Sequence, residues 1–250
     1  MTGSLAIYVH WPFCAAICPY CDFNVHKDRG ADAGVWTRAL TAELQHWSAL
    51  TQGRRVTSLY FGGGTPSLAP LPVIEGVVAA AVRLWGFSDD PEITLEANPA
   101  DAARFPDFRA AGVTRLSLGV QSFDDAALKF LGRDHDGRRG RAAVDAALQT
   151  FPRVNADFIY ARPGQTVGQW TEELAAALAT GLQHLSLYQL TVEPGTAFDR
   201  QVMKGRWAPA DDGDCADLFD AAQAITAAAG LPAYEISNHA REGHRSRHNE

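Results

Sequence analysis

Short runs of β-branched and aromatic residues alternate with amphipathic helical stretches, and this alternation limits the folds open to the chain. Strand-like segments fall at 5–10, 56–61, 92–97, 115–120, 154–160 and 185–190. Between them lie stretches with helical apolar spacing at 35–50, 71–85, 141–151 and 167–180. In the first of these, Trp36, Leu40, Leu44 and Trp47 share one face. Strand starts recur at intervals of 23 to 51 residues, long enough for a crossover helix, so neighbouring strands must run parallel. The fold class is therefore α/β, either a doubly wound sheet or a barrel. No G-x-G-x-x-G follows the first strand and no Walker A motif occurs, so nucleotide-binding doubly wound folds lose ground to a partial or full barrel.

Finer punctuation follows the same logic. Asp124 and Asp136 read as helix N-caps, and Pro106 should break or kink a short helix over 101–111. An Ala-rich helix over 211–229, stopped by Gly230, precedes a seventh extended segment at 234–238. Residues 1–195 are expected to form the core barrel. Residues 196–250 are expected to add a helix, a last strand and the truncated start of a C-terminal region. The formal net charge of −7 argues against a general nucleic-acid binder. No secretory leader and no long apolar span occur, so a reducing cytoplasm is the expected location.

Chemistry concentrates at strand C-termini, which in a barrel form the active rim. Directly after the first strand come Cys14, Cys18 and Cys21, spaced Cys-x3-Cys-x2-Cys. Spacing alone leaves several readings open: buried thiols, a disulfide with one thiol left over, a zinc site completed by His10 or His26, or an iron–sulfur cluster. The fourth cysteine, Cys215, is remote and reads as a buried spectator. A cluster here would therefore keep one metal position free of protein. Gly62-Gly63-Gly64-Thr65-Pro66 follows the second strand, where three glycines let backbone approach a ligand closely. Glu96 ends the third strand, Gln121 the fourth, and Asp157 sits inside the fifth, where a carboxylate must be paired or serve a ligand.

These motifs carry a resemblance. The strings Tyr-Val-His-Trp-Pro-Phe-Cys-x3-Cys-Pro-Tyr-Cys-Asp-Phe, Phe-Gly-Gly-Gly-Thr-Pro-Ser, Leu-Glu-Ala-Asn-Pro, Leu-Ser-Leu-Gly-Val-Gln-Ser-Phe, Leu-Gly-Arg-x-His and Pro-Gly-Gln-Thr cover nearly the whole chain in order. They resemble the radical S-adenosylmethionine (SAM) superfamily, in the branch of oxygen-independent coproporphyrinogen oxidase and its relatives. The resemblance implies a partial (β/α)6-type TIM barrel of parallel strands with outer helices, and a [4Fe–4S] cluster on Cys14, Cys18 and Cys21, with SAM on the fourth iron and radical cleavage of its sulfonium C–S bond. By motif match it assigns cofactor contacts to Tyr8, Tyr20, Gly63, Gly64, Thr65, Glu96, Gln121, Arg133, Asp157 and Thr191. Some relatives bind a second SAM, and Thr191 belongs to that less direct set.

Porphyrinogen oxidases carry a further cysteine two positions after the third, where this chain has Phe23. That departure resembles the heme chaperone branch, which binds heme, cluster and SAM and passes heme to acceptors such as respiratory-chain cytochromes. An electron donor and a peripheral membrane association through partners are implied with it. The tail, Tyr234-Glu235-Ile236-Ser237-Asn238 and Arg247-His248-Asn249, fits the same branch. There His248 is a candidate heme ligand and Arg241, Arg245 and Arg247 are candidate propionate partners. The alternative for the tail is a solvated basic terminus. The alternative for the chain is oxygen-independent coproporphyrinogen III oxidation. Ala161-Arg162 also departs from the family's usual Gly-Leu.

Overall fold

The computed structural model describes residues 3–250. Strand β1 (Gly3–Trp11) leads to a two-residue strand β2 (Phe13–Cys14) and its partner β3 (His26–Lys27), then helix α1 (Ala33–Leu50). The chain continues through β4 (Arg54–Gly63), α2 (Leu71–Trp85), β5 (Phe87–Ala97), α3 (Phe105–Ala110) and β6 (Arg115–Gln121). Next come α4 (Asp125–Phe130), α5 (Gly137–Thr150), β7 (Arg153–Tyr160), α6 (Val167–Leu178) and β8 (His184–Gln189). The last elements are α7 (Ala197–Met203), α8 (Asp212–Ala228) and β9 (Asn238–Ala240).

The main sheet runs β1-β4-β5-β6-β7-β8-β9. Six strands are parallel neighbours in chain order, which is the partial barrel expected from the alternation and the resemblance. The seventh differs from expectation. It covers 238–240 rather than 234–238, and it runs antiparallel to β8. The connection from β8 to β9 is long and carries α7 and α8, so chain length leaves either direction open, and the pairing of Ser186 with Asn238 and of His184 with Ala240 sets the antiparallel one. Around Pro106 the expected single helix divides into a 3-10 turn, Pro99–Arg104, followed by α3 with proline in its first turn. Asp124 and Asp136 cap their helices through Ala127 N and Arg139 N, as read from sequence.

Strand side chains alternate between two unlike faces. Ile93, Leu95, Leu116, Leu118, Val154, Ala156, Leu185 and Leu187 pack with Val73, Val77, Val144, Trp170 and Leu174 of the helices in one continuous core. The opposite face is polar: Glu92, Thr94 and Glu96 on β5, Arg115 and Ser117 on β6, Asn155 and Asp157 on β7, and Ser186 and Tyr188 on β8. The outer face thus supplies the hydrophobic driving force, and the inner face is free for binding chemistry. Hydrogen bonds cross this inner face from strand to strand. Asn155 donates to Ser117 at 2.7 Å, and Ser186 donates to Asn238 at 2.9 Å.

A smaller apolar cluster lies beside the rim, built from Leu131, Ile159, Leu190 and Phe198 with Tyr20, Phe130, Val192 and Trp207 against it. Its central residue, Phe198, belongs to α7, a helix that the sequence pattern does not announce.

Candidate functional site

The cysteine loop is held on three sides. Its ends are clamped by the β2–β3 pair, where His26 N donates to Pro12 O at 2.7 Å and Asp28 N to Cys14 O at 2.8 Å. The glycine turn after β4 pairs with its start, through Gly64 N to Trp11 O at 2.7 Å and Thr65 N to Phe13 O at 2.9 Å. On the far side Phe198 N donates to Pro19 O at 2.9 Å. His10 bonds the Asn24 carbonyl at 2.9 Å, so it orients the loop rather than standing free as a zinc ligand. Cys14 is buried, Cys18 and Cys21 are half-buried, and none is in a disulfide. Burial pushes the Cys14 and Cys21 thiols up, with the Thr65 hydroxyl opposing this at Cys14.

The glycines do steric work. A Cβ on Gly64 would meet Phe13 O at 2.8 Å and Cys14 Sγ at 3.0 Å. Gly63 has φ of 111°, and a Cβ there would meet the His10 ring at 2.6 Å. The Gly63 N–H donates to Glu96 at 3.1 Å, and the Tyr60 hydroxyl donates to the same carboxylate at 2.9 Å. Burial pushes Glu96 up to about 7, against those two bonds and together with the nearby Asp157 charge. Asp157 is pushed up to about 6 by burial, with Ser186, Ser117 and Asn155 bonding to it in opposition. Two carboxylates with displaced affinities for protons thus share the polar inner face and feel each other's charge, an arrangement suited to an ammonium or to hydroxyls.

The assigned residues are placed unequally. Tyr8 lies beside Tyr60, ring centroids 6.0 Å apart, with its hydroxyl 3.2 Å from His10 Nδ1. Tyr20 and Arg133 sit together over Cys18, and Arg133 Nη1 donates to Cys18 Sγ at 3.3 Å. Gln121 has φ of 66° and a buried Oε1 with no partner. Arg133 Nε is buried without a partner too. Thr191 is exposed beyond β8, and its hydroxyl bonds only to Gln189 O at 3.4 Å. His135, open to either reading from sequence, is buried and bonds Val120 O, so its role is structural. Cys215 is half-buried in α8 and remote from the loop in sequence.

The tail is largely exposed, Arg241, Arg245 and His248 included, but its backbone is anchored. Arg115 donates to the carbonyls of His244 and Arg245, both at 2.9 Å, while Glu92 accepts from Arg247 N at 2.8 Å. These contacts lead residues 244–249 back to the inner face. His248 stacks on Tyr60, ring centroids 4.0 Å apart, with Tyr8 at 5.7 Å. Arg247 pairs with Asp90 at 2.6 Å, so that guanidinium is committed rather than free for a propionate. Phe23 projects into solvent, 64% exposed.

Sequence reasoning missed Tyr60, Ser117, Asn155, Ser186 and Tyr188, the inner-face partners of the two carboxylates. Their signal was the period-two placement of polar residues within the strands. It also missed Gly119, where a Cβ would meet Gln121 Nε2 at 3.1 Å and Arg133 Nη2 at 3.5 Å.

The family model for the radical SAM superfamily matches residues 8–177. The chain belongs to this superfamily. It is 42% identical over 247 residues to bovine "Radical S-adenosyl methionine domain-containing protein 1, mitochondrial", covering 98% of this chain and 56% of that protein. It is 37% identical over 254 residues to "Heme chaperone HemW" of Escherichia coli, covering 98% of this chain and 65% of that protein. Coproporphyrinogen III oxidase (HemN) of E. coli, a radical SAM enzyme, superposes with a TM-score of 0.82 at 25% identity, over 97% of this chain and 56% of HemN. The chain thus spans a little over half to about two thirds of these relatives. No helix among the described residues is long and apolar enough to cross a membrane. The expected cytoplasmic location has to be set beside the word "mitochondrial" in the names of the animal relatives.

Membership implies a [4Fe–4S] cluster and SAM, and the donor set fits them. Among the described residues no three His, Cys, Asp or Glu side chains gather closely enough to share one metal ion. A cubane asks less, because each thiolate binds its own iron. The side-chain-free cradle at Gly63 and Gly64, and the unpartnered Gln121 Oε1 and Arg133 Nε beside it, suit a ligand rich in polar groups.

Proposed function

We propose that this chain is the cofactor-binding part of a heme chaperone. In this reading Cys14, Cys18 and Cys21 hold a [4Fe–4S] cluster, and heme is the cargo delivered to acceptor hemoproteins. Glu96 takes up the ammonium of SAM, the Gly63–Gly64 backbone lines its amino-acid portion, Arg133 pairs with its carboxylate, and Asp157 meets ribose hydroxyls. The cluster, when bound, supplies the electron for reductive C–S cleavage of SAM. The remaining tasks fall to the chain: to orient the cofactor through Tyr8, Tyr20, Thr65, Gln121 and, for a second SAM, Thr191, and to exclude water around the thiols.

The observation that carries the chaperone reading is Phe23. It stands where porphyrinogen oxidases resembling this chain carry a cysteine, and its exposed ring offers no ligand. The 37% identity to a protein named heme chaperone supports it. His248 as a heme ligand requires its imidazole to leave the Tyr60 stack. The second reading, coproporphyrinogen III oxidation, draws on the superposition with HemN.

The test is anaerobic reconstitution with iron and sulfide, followed by hemin and, separately, coproporphyrinogen III. A hemin spectral shift without decarboxylated product is expected. Decarboxylated product would overturn the chaperone reading, and absence of cluster absorption would overturn the cofactor reading.

A further inference from the structure

We infer that Arg133 tunes the reduction potential of the cluster by hydrogen-bonding the Cys18 thiolate. The inference rests on the reading that Cys14, Cys18 and Cys21 hold a cluster. It concerns a contact to sulfur, distinct from pairing with a SAM carboxylate.

The arginine is delivered to the sulfur by a rigid turn. Helix α4 ends in a Schellman motif: Arg133 N donates to Leu128 O at 2.9 Å and Gly132 N to Lys129 O at 3.2 Å. Gly132 takes the left-handed conformation, φ 68°, that this motif needs. Its bare Cα faces Pro19, whose Cδ would lie 2.7 Å from any Cβ. The turn is thereby pressed onto the residue that follows Cys18. From there the guanidinium reaches Cys18 Sγ at 3.3 Å with Nη1 and Gly119 O at 3.0 Å with Nη2. The second bond fixes the plane of the fork, so the first is aimed rather than incidental.

No carboxylate lies within salt-bridge distance of this guanidinium among the described residues. Asp134 and Asp157 act on its positive charge only at longer range, so Cys18 is its direct side-chain partner. Reduction adds one negative charge to the cluster, and part of it spreads onto the thiolate sulfurs. A buried cation bonded to one of those sulfurs favours the reduced state over the oxidised one and raises the potential. The unpartnered Nε leaves a donor for a further ligand, so one side chain can serve both tasks.

The experiment compares wild type, R133Q and R133K after anaerobic reconstitution and without SAM. Folding is checked by circular dichroism, and the potential is read by titration followed in visible absorbance and in the EPR signal of the reduced cluster. R133Q should shift the one-electron reduction equilibrium about tenfold toward the oxidised state, or 59 mV for one electron. R133K keeps the charge but cannot reach both Cys18 and Gly119, so its potential should fall between the other two. A cluster in R133Q at the wild-type potential overturns the inference while leaving the cofactor reading intact. If R133Q takes up no cluster, R133K decides: a potential below wild type supports the inference, and an unchanged one overturns it. A wild-type protein that assembles no cluster overturns the cofactor reading and, with it, this inference.

Discussion

Replacing Glu96 by Gln should reverse its effect on stability between pH 5 and pH 8. The ordinary value of this carboxyl is 4.5, and burial pushes it up to about 7. The folded chain therefore holds the proton more tightly than the unfolded chain does. The stability of the cofactor-free protein is full below about pH 4.5, falls as pH rises toward 7, and levels off above that. Integrating the proton difference from pH 5 to pH 8 gives a loss of about 2.5 kcal/mol from this one group. Gln escapes that loss, but at pH 5, where folded Glu96 is protonated, both oxygens of the acid can still accept, from Tyr60 and from Gly63, whereas the amide nitrogen of Gln cannot accept at all. E96Q should thus be about 1 kcal/mol less stable than wild type at pH 5 and more stable than it at pH 8. Asp157 titrates in both proteins and largely cancels from the difference. Urea denaturation with linear extrapolation at the two pH values measures it. An E96Q-minus-wild-type difference that is the same at both pH values would refute the assignment of a buried, proton-retaining Glu96.

Other expectations follow from the packing. Arg162→Leu, which restores the residue more usual in relatives, strands Glu173 beside Ser122 and the Phe123 amide and should cost about 3 kcal/mol in urea; a smaller loss when Glu173 is changed to Gln in the same chain would confirm the pairing. Phe198→Ala empties the centre of the rim cluster and should cost about 3 kcal/mol. Because the Phe198 ring also packs beside Tyr20 of the cysteine loop, iron and sulfide content after reconstitution should fall with it. Gly64→Ala should cost about 1–3 kcal/mol through the clash with Phe13 and Cys14, and its cluster content should drop while that of a Gly53→Ala control stays normal.

The parts legible in the sequence were those coded locally. Period-two and helical patterning placed six strands and their helices, because each must present an apolar face to the same core. Asp124 and Asp136 announced helix starts by their capping chemistry. Cys14, Cys18 and Cys21 announced a shared purpose by sitting a few residues apart. The strand edges were less legible: β5 begins at Phe87, not Glu92, since pairing with β4 extends it through a polar stretch. The seventh extended segment was placed at 234–238 where the strand covers Asn238–Ala240, and its direction was not legible, because pairing with β8 is a long-range choice.

Sequence alone thus determined a parallel α/β chain with thiols and glycines at strand ends, since side-chain periodicity and short motifs are properties of neighbours along the chain. Only the tertiary structure decided that Glu96 and Asp157 come within electrostatic reach on one polar face, that Arg133 meets Cys18 across 115 positions, and that His248 stacks on Tyr60. Those contacts depend on how strands register and how a tail returns through the barrel. No local pattern encodes that, because burial and pairing at each site depend on residues far away in the chain.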